Sequence, residues 1–486
     1  MPWPEGVQPL RMQRVAVVAP TPRERDVLVR LAAAGVVELD RPESRDPAAG
    51  GAGHAPASAL LLQLPETAGL QPRLSATDPD LAALVAAGRA DLVAGEAQLE
   101  SYLAVAVRRR QVSGWAGWVP AAQADTVAGA LARVGGGLVP MPLPRGVDPP
   151  TMLRPGGRVR RSMSPLVETY ATVPYRDVDP TLLAGLAYVL MFGMMFGDVG
   201  HGALLVLAGV ALAFGRPRRW IRLRKVWPFV VGAGAAAAFF GLLYGEFFGP
   251  TGVVPVLWLS PLEEPVTLLT AALGVGAVLL AGAYVVGAVN RWREGGWPLA
   301  LVAASGIAGA ALFAGLGVVL LGFDAALSWL VVLGVVIALG GVLLAYVGFL
   351  ANAEGNVAGF TQATVELFDA VLRLGTNLVS FARLAAFGLT HAALGLVVWE
   401  ATVALWDGGG AWLLAAVIVF LLGNAVAFSL EALVAGVQAL RLEYYELFSR
   451  VFSTEGRPFR PWHVPLDVPA ADRAATDLVP SPGRLP

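Results

Sequence analysis

The run Asn377-Leu-Val-Ser-Phe-Ala-Arg-Leu-Ala-Ala-Phe-Gly-Leu-Thr-His391 sets one arginine, Arg383, in the middle of an apolar segment that continues to residue 405. A charge at that depth costs roughly 2.5–3.5 kcal/mol on insertion scales, so it must face a polar path or a partner. A second arginine, Arg441, lies in Glu431-Ala-Leu-Val-Ala-Gly-Val-Gln-Ala-Leu-Arg-Leu-Glu-Tyr444, within the apolar segment 411–447. Helical spacing organises both runs. Asp369, Thr376, Ser380, Arg383 and Thr390 follow steps of 7, 4, 3 and 7, and Asn424, Glu431, Gln438, Arg441 and Tyr445 follow steps of 7, 7, 3 and 4. Each set lies on one face of an α-helix, so two long apolar helices each carry a single polar edge.

Working outward, the composition agrees with a membrane protein. Of 486 residues 56% are hydrophobic and 15% charged, with a mean hydropathy of +0.63. Apolar segments run over about 182–214, 227–248, 266–289, 297–322, 325–351, 368–405 and 411–447, and none precedes residue 180. The segment 182–214 is long for one crossing, each of which needs roughly 20 residues. Arg216, Arg218, Arg219, Arg222, Arg224 and Lys225 follow it and point to the cytoplasm. The start, Met1 to Glu24, has no signal pattern and is expected to stay in the cytoplasm. Segment 182–214 then crosses twice, turning near Gly197-Asp198-Val199-Gly200, for about eight crossings in all. Arg291, Arg293, Arg450, Arg457 and Arg460 fall inside on this scheme, and Glu263, Glu264 and Asp324 outside.

The preceding region reads as soluble α+β structure. A strand is expected at Arg14–Pro20, a helix from Thr21, a strand near Val36–Leu39 and a helix over Asp78–Arg110 closed by Arg108 to Arg110. Gly114–Pro120 then leads into a helix at Ala121–Val134, residues 43–60 form a loose connection, and the Pro-rich stretch 142–180 forms a linker. The expected fold is an α-helical polytopic membrane domain of about eight transmembrane helices, the last two long and tilted, preceded by a soluble α+β domain with a short helical arm. The expected divisions are a soluble domain at 1–180, a transmembrane domain at 181–452 and a cytoplasmic carboxyl-terminal tail at 453–486.

Several functions are set aside at once. A net charge of −1 leaves no electrostatic footprint for nucleic acid. The chain has no Cys and only four scattered His, so no metal or cofactor is expected. It has no Gly-x-x-x-x-Gly-Lys-Ser/Thr phosphate loop, so no catalytic site for nucleotide hydrolysis is expected on this chain. What remains is ion movement. Asp369 lies fourteen residues, roughly 21 Å, to the cytoplasmic side of Arg383, and His391 and Glu431 lie to the external side of the arginines. Titratable groups on each side of a fixed charge suit a conductor made of two half-channels, and arginine suits the middle because it keeps its proton. Taken alone, Arg441 has a second reading as an arginine snorkelling to the interface, Glu431 as an arginine's partner, His391 as an interfacial histidine and Asp198 as a helix cap. A secondary ion-coupled transporter is the rival, but no paired repeat joins 182–322 to 325–447.

Four stretches resemble the a/I subunit family of V-type and archaeal-type (V/A) rotary ATPases. They are Met191-Phe-Gly-Met-Met-Phe-Gly-Asp-Val-Gly-His-Gly202, Tyr244-Gly-Glu-Phe-Phe-Gly249, Ser380 to Ala392 and Gln438-Ala-Leu-Arg-Leu-Glu-Tyr-Tyr-Glu-Leu-Phe448; Gly117–Pro120 and Tyr175–Pro180 fit its soluble-to-membrane approach. The resemblance implies a non-catalytic stator subunit, with Arg383 and Arg441 facing carboxylates of a rotor ring. It implies that Glu431, His391 and Asp198 line an external half-channel, that Asp369 belongs to a cytoplasmic one, and that Gln438 and Ser380 are polar positions along the path. The implied partners are the rotor c/L ring, E/G-type peripheral-stalk subunits, the central-stalk connector and membrane lipid. The soluble domain is shorter than is usual in the family, and the first arginine is approached by Phe-Ala-Arg where Tyr, an aliphatic residue and Arg are more common.

Overall fold

A computed structural model describes residues 8–40, 56–61, 69–143, 146–154, 156–215, 223–452 and 455–467. Arg216, Arg218, Arg219, Arg222, most of the connection at 43–60 and residues 468–486 lie outside the described residues. Contacts divide the described chain into two units, one of residues 9–154 with 456–467 and one of residues 156–455 with Gln8.

The first unit is built on an antiparallel sheet of order β2-β4-β1-β5, with β3 also pairing to β4. Its strands are β1 (Met12–Pro20), β2 (Glu38–Leu39), β3 (Val107–Arg109), β4 (Val112–Pro120) and β5 (Gly137–Pro140). Alternation in β1 turns Val15, Val17 and Ala19 inward, and register pairs Val17 with Trp115 and Ala16 with Val139. The helices are α1 (Glu24–Ala34), α2 (Pro56–Leu61), α3 (Leu81–Ala86), α4 (Ala90–Ala104) and α5 (Ala124–Ala132). Leu28 and Leu31 of α1, Leu99 and Tyr102 of α4, and Val127 and Leu131 of α5 complete the core. Gly35 ends α1 at φ 61°, a left-handed cap that costs glycine nothing.

Two expectations change here. Arg108 to Arg110 do not close a helix: α4 ends at Ala104, and Val107–Arg109 pairs back on β4 across the two-residue turn Arg110-Gln111, with Arg110 at φ 55°. Arg108 instead donates two hydrogen bonds to Glu24, at 2.9 and 2.8 Å. Residues 456–467 are not a separate tail. Trp462 and Val464 enter the core, Trp462 N donates to Val37 O at 3.0 Å, and Leu466 bridges Leu74. The segment has neither helical nor strand periodicity, so its burial depends on partners several hundred residues earlier.

The second unit is helical. It comprises α6 (Arg158–Tyr170), α7 (Thr181–Met195), α8 (Val199–Phe214), α9 (Trp227–Tyr244), α10 (Pro265–Val302), α11 (Ile307–Asp324), α12 (Ser328–Asn352), α13 (Val357–Ser380), α14 (Ala382–Asp407) and α15 (Trp412–Leu442). By length and composition six helical stretches suit a membrane crossing: Leu223–Tyr244, Pro265–Val302, Ile307–Asp324, Ser328–Asn352, Val357–Asp407 and Trp412–Val451. The helices α7 and α8 are apolar but shorter, and the break between them falls at Phe196–Asp198, where the turn was expected. Helix α10 takes in the start of the expected segment 297–322; its axis breaks at Gly296, whose φ of 73° a side-chain-bearing residue rarely adopts. Helix α6 occupies part of the expected linker, because the prolines that mark that stretch concentrate at 142–155 and only Pro165 falls within the helix.

Large apolar side chains remain outside this unit, among them Val332, Val336, Leu339 and Leu343 along α12. A contiguous apolar face of that kind suits lipid and not water. Small residues let the helices approach closely. A Cβ added at Gly234 of α9 would stand 2.7 Å from Val206 N on α8, and one at Gly334 of α12 would stand 2.6 Å from Val319 N on α11. Buried Asn290 of α10 ties the approach segment down: it accepts from Val178 N at 3.0 Å and donates to Val451 O at 3.2 Å.

Candidate functional site

The two arginines meet in one open polar groove of about 830 Å³, lined by Arg373, Thr376, Asn377, Ser380, Arg383, Val437, Arg441, Tyr445, Glu446, Ser449 and Arg450. Arg383 opens α14 just after the junction at Phe381, and Arg441 falls in the last turn of α15. Helix α15 then continues as a π-helical turn over Glu443–Phe448, a widened geometry that often marks functional sites. That turn brings Glu446 into the groove. With the Asn377 amide oriented to satisfy both neighbours, it donates to Glu446 Oε2 at 2.9 Å and accepts from Arg450 Nη2 at 2.9 Å. Arg450 also stands over the Tyr284 ring at 5.5 Å.

Among the described residues no carboxylate lies at ion-pair distance from Arg383 or Arg441, and Arg383 Nη1 is buried with no hydrogen-bond partner. Gln438, one turn before Arg441, likewise has Oε1 buried and unpartnered. Arg383 and Arg441 thus share, with Arg373 and Arg450, a groove whose one lining carboxylate, Glu446, is already engaged by Asn377. Asp369 is elsewhere: it is exposed, pairs with Arg373 at 2.7 Å, and does not line the groove.

A second polar cluster lies two to three turns from the arginines. His391 is eight residues beyond Arg383, and Glu431 ten residues before Arg441, so ~12–15 Å of helix separates the two sites. His391 Nδ1 and Glu431 form an ion-paired contact, so Glu431 has a histidine partner in place of an arginine. Asp198 caps α8 by accepting from His201 N at 2.8 Å, and its other oxygen accepts from Gly249 N at 2.8 Å. Asp198, His201, Glu246, His391 and Asn424 are all buried. The rings of Phe196, Phe248 and Phe428 pack around His201 with centroid distances of 5.2–5.6 Å.

Of the expected site residues, Ser380, Arg383 and Arg441 therefore share the groove, and Asp198, His391 and Glu431 share the buried cluster. Two residues of these sites were not singled out from sequence: His201 and Glu446. Each sits inside a run already quoted, three to five residues from a named position, but nothing local distinguishes it from its neighbours.

An α+β unit and a helical unit with lipid-suited faces and apolar helices long enough to cross a bilayer define a membrane protein, with paired arginines in a polar groove on its last helices. Residues 101–252 match the V-type ATPase 116kDa subunit family. The chain is 28% identical to the A-type ATP synthase subunit I of Aeropyrum pernix over 367 residues, covering 66% of this chain and 51% of that protein. It is 25% identical to the A-type ATP synthase subunit I of Pyrococcus horikoshii over 413 residues, covering 80% and 58% respectively. Against V-type ATP synthase subunit I 2 of Treponema pallidum it is 34% identical over 169 residues, 32% of this chain and 35% of that one. These comparisons place the similarity of the chain with the V/A-type ATPase subunit I family. The chain spans about half to three-fifths of the length of the two archaeal relatives.

Proposed function

We propose that this chain is the membrane stator subunit of a rotary V/A-type ATPase, supplying two ion half-channels beside a rotor ring and coupling proton or sodium movement to rotation. The observation that carries the reading is the groove in which Arg383 and Arg441 stand together with no carboxylate closing on either. A cation left without an internal partner is suited to a carboxylate supplied from another chain, and opposite charge favours the ionised form of that acid. A rotor carboxylate reaching the groove gives up its ion there.

The cluster of Asp198, His391 and Glu431 forms the external half-channel on this reading. Asn377, Ser380 and Glu446 supply the cytoplasmic one, with Asp369 at its outer edge. The helices α7 and α8 add two crossings to the six longer stretches, the last two of which lie tilted beside the ring. The soluble unit stays in the cytoplasm, where it meets E/G-type peripheral-stalk subunits and the central-stalk connector. Nucleotide hydrolysis or synthesis belongs to partner subunits.

The test is ATP-driven ion uptake by the assembled complex in sealed vesicles, with subunit content checked alongside. Arg383→Ala abolishes uptake and leaves assembly intact, because the apolar faces of α14 are unchanged. Arg383→Lys restores little, since an ammonium can lose its proton in a dry site and lacks the planar fork. Near-normal uptake by an assembled Arg383→Ala complex returns this arginine to a structural role.

A further inference from the structure

The side chains of Asp198, His201 and His391 each offer a ligand atom, and these atoms lie within 4.8 Å of one another in a fully buried pocket. His201 is only 3% exposed, and neither of its ring nitrogens makes a hydrogen bond of full geometry. Asp198 Oδ1 stands 3.8 Å from His201 Nδ1, and the Asn424 side chain approaches the ring as a weak hydrogen-bond partner. Buried polar atoms are normally satisfied, so a buried histidine whose Nδ1 meets only a carboxylate oxygen 3.8 Å away leaves room for a ligand.

From this juxtaposition we propose a binding site for a single divalent transition-metal cation of the zinc type, held by Asp198, His201 and His391. Two imidazoles out of three donors select a borderline metal over hard cations such as Ca²⁺ or Mg²⁺, which take oxygen ligands. The outer groups fit as well. Glu431 engages His391 Nδ1, which fixes the tautomer and leaves Nε2 for the metal, a carboxylate–histidine arrangement typical of zinc ligands. Asp198 and Glu431 together offset a charge of +2. A tetrahedral ion with bonds of ~2.0–2.1 Å holds its donors about 3.4 Å apart, so the side chains close by about 1.4 Å or less on binding. Three protein ligands leave one position for water, and buried Glu246 lies nearby.

The functional consequence rests on the half-channel reading given above. A cation that clamps His201 to His391 removes both imidazoles and the Glu431 partner from proton or ion exchange. The site is therefore inhibitory, and it is filled from the external side.

Two measurements keep the site and its consequence apart. The first titrates the intact complex, purified without a polyhistidine tag, with Co²⁺ and follows the visible absorption of four-coordinate cobalt. One Co²⁺ per chain is expected, displaced by Zn²⁺, with affinity falling about 10–100-fold or more in His201→Gln and in His391→Gln. Exposed His463, in the other unit, serves as the control, and His463→Gln binds as the parent does. No saturable binding, or equal binding by the parent and both assembled variants, overturns the site. The second adds Zn²⁺ to the external face of vesicles during ATP-driven transport. Inhibition that shifts at least 10-fold in concentration in His201→Gln supports the block, whereas saturated binding without inhibition overturns the placement of this cluster in the ion path and leaves the metal site standing.

Discussion

Arg383 and Glu24 show how partners decide what a buried charge does. Arg383 keeps a nitrogen unpartnered in a groove, whereas the Glu24 carboxylate is held by two Arg108 hydrogen bonds and by the Ser113 hydroxyl. The Arg108 bonds hold Glu24 below its ordinary value of 4.5, against the opposing effect of burial. A depressed carboxylate contributes stability that is present above the unfolded value and lost as pH falls through the folded one. Glu24→Gln is therefore expected to cost about 1–2 kcal/mol at pH 7. The gap to the parent narrows once pH drops below about 4.5. Denaturant unfolding of the first unit across pH reads this directly, and a gap that persists unchanged in acid would assign Glu24 a packing role.

The helices of the second unit owe their spacing to glycine. Pairs such as α8 with α9 and α11 with α12 approach until backbone meets backbone, a packing driven by dispersion because lipid offers no hydrophobic gradient between helices. Gly334→Leu is expected to lower stability by about 1–3 kcal/mol, the usual cost of overpacking. Gly317→Leu on α11 provides the comparison, since an added Cβ there meets nothing within 4 Å. Thermal unfolding in detergent separates the two, and equal effects would mean that general hydrophobicity and not close approach sets the response. The π-helical turn at Glu443–Phe448 matters in another way. By adding a residue to the turn it rotates Glu446 into the groove, a placement that the regular spacing read from Asn424 to Tyr445 does not give.

The order of loops and the origin of the first unit's core concern the whole chain. Arg224 and Lys225 precede α9, and Glu263 and Glu264 precede α10, so one crossing by α9 separates them. Single cysteines at Lys225 and Glu263 in closed vesicles are expected to react with impermeant reagent from opposite faces. Reaction of both from the same face sinks the crossing scheme. The first unit, for its part, draws Trp462 from the far end of the sequence. The indole packs at a tilt against Tyr102, with ring centroids 4.3 Å apart, and donates to Gln98 Oε1 at 3.3 Å. Trp462→Ala is expected to cost about 3–5 kcal/mol, seen as faster proteolysis of the first unit with the helical unit unaffected.

Hydropathy, charge and helical period depend on residues within one or two turns of each other. For that reason the apolar segments, the break at Gly197-Asp198, the strand at 14–20, and the polar edges carrying Arg383 and Arg441 were legible in the chain itself. The same local rules misread Arg108 to Arg110, because a helix end and a two-residue hairpin differ only in where the next strand pairs. They gave no notice of His201 beside His391, 190 positions apart, or of Trp462 beneath α4. Asp369 kept its place on the polar face and still missed the groove, since a face specifies direction and not depth or neighbour. Those outcomes rest on which helices and strands pack together, and packing is settled by shape and burial summed over the whole chain, not by any window of it.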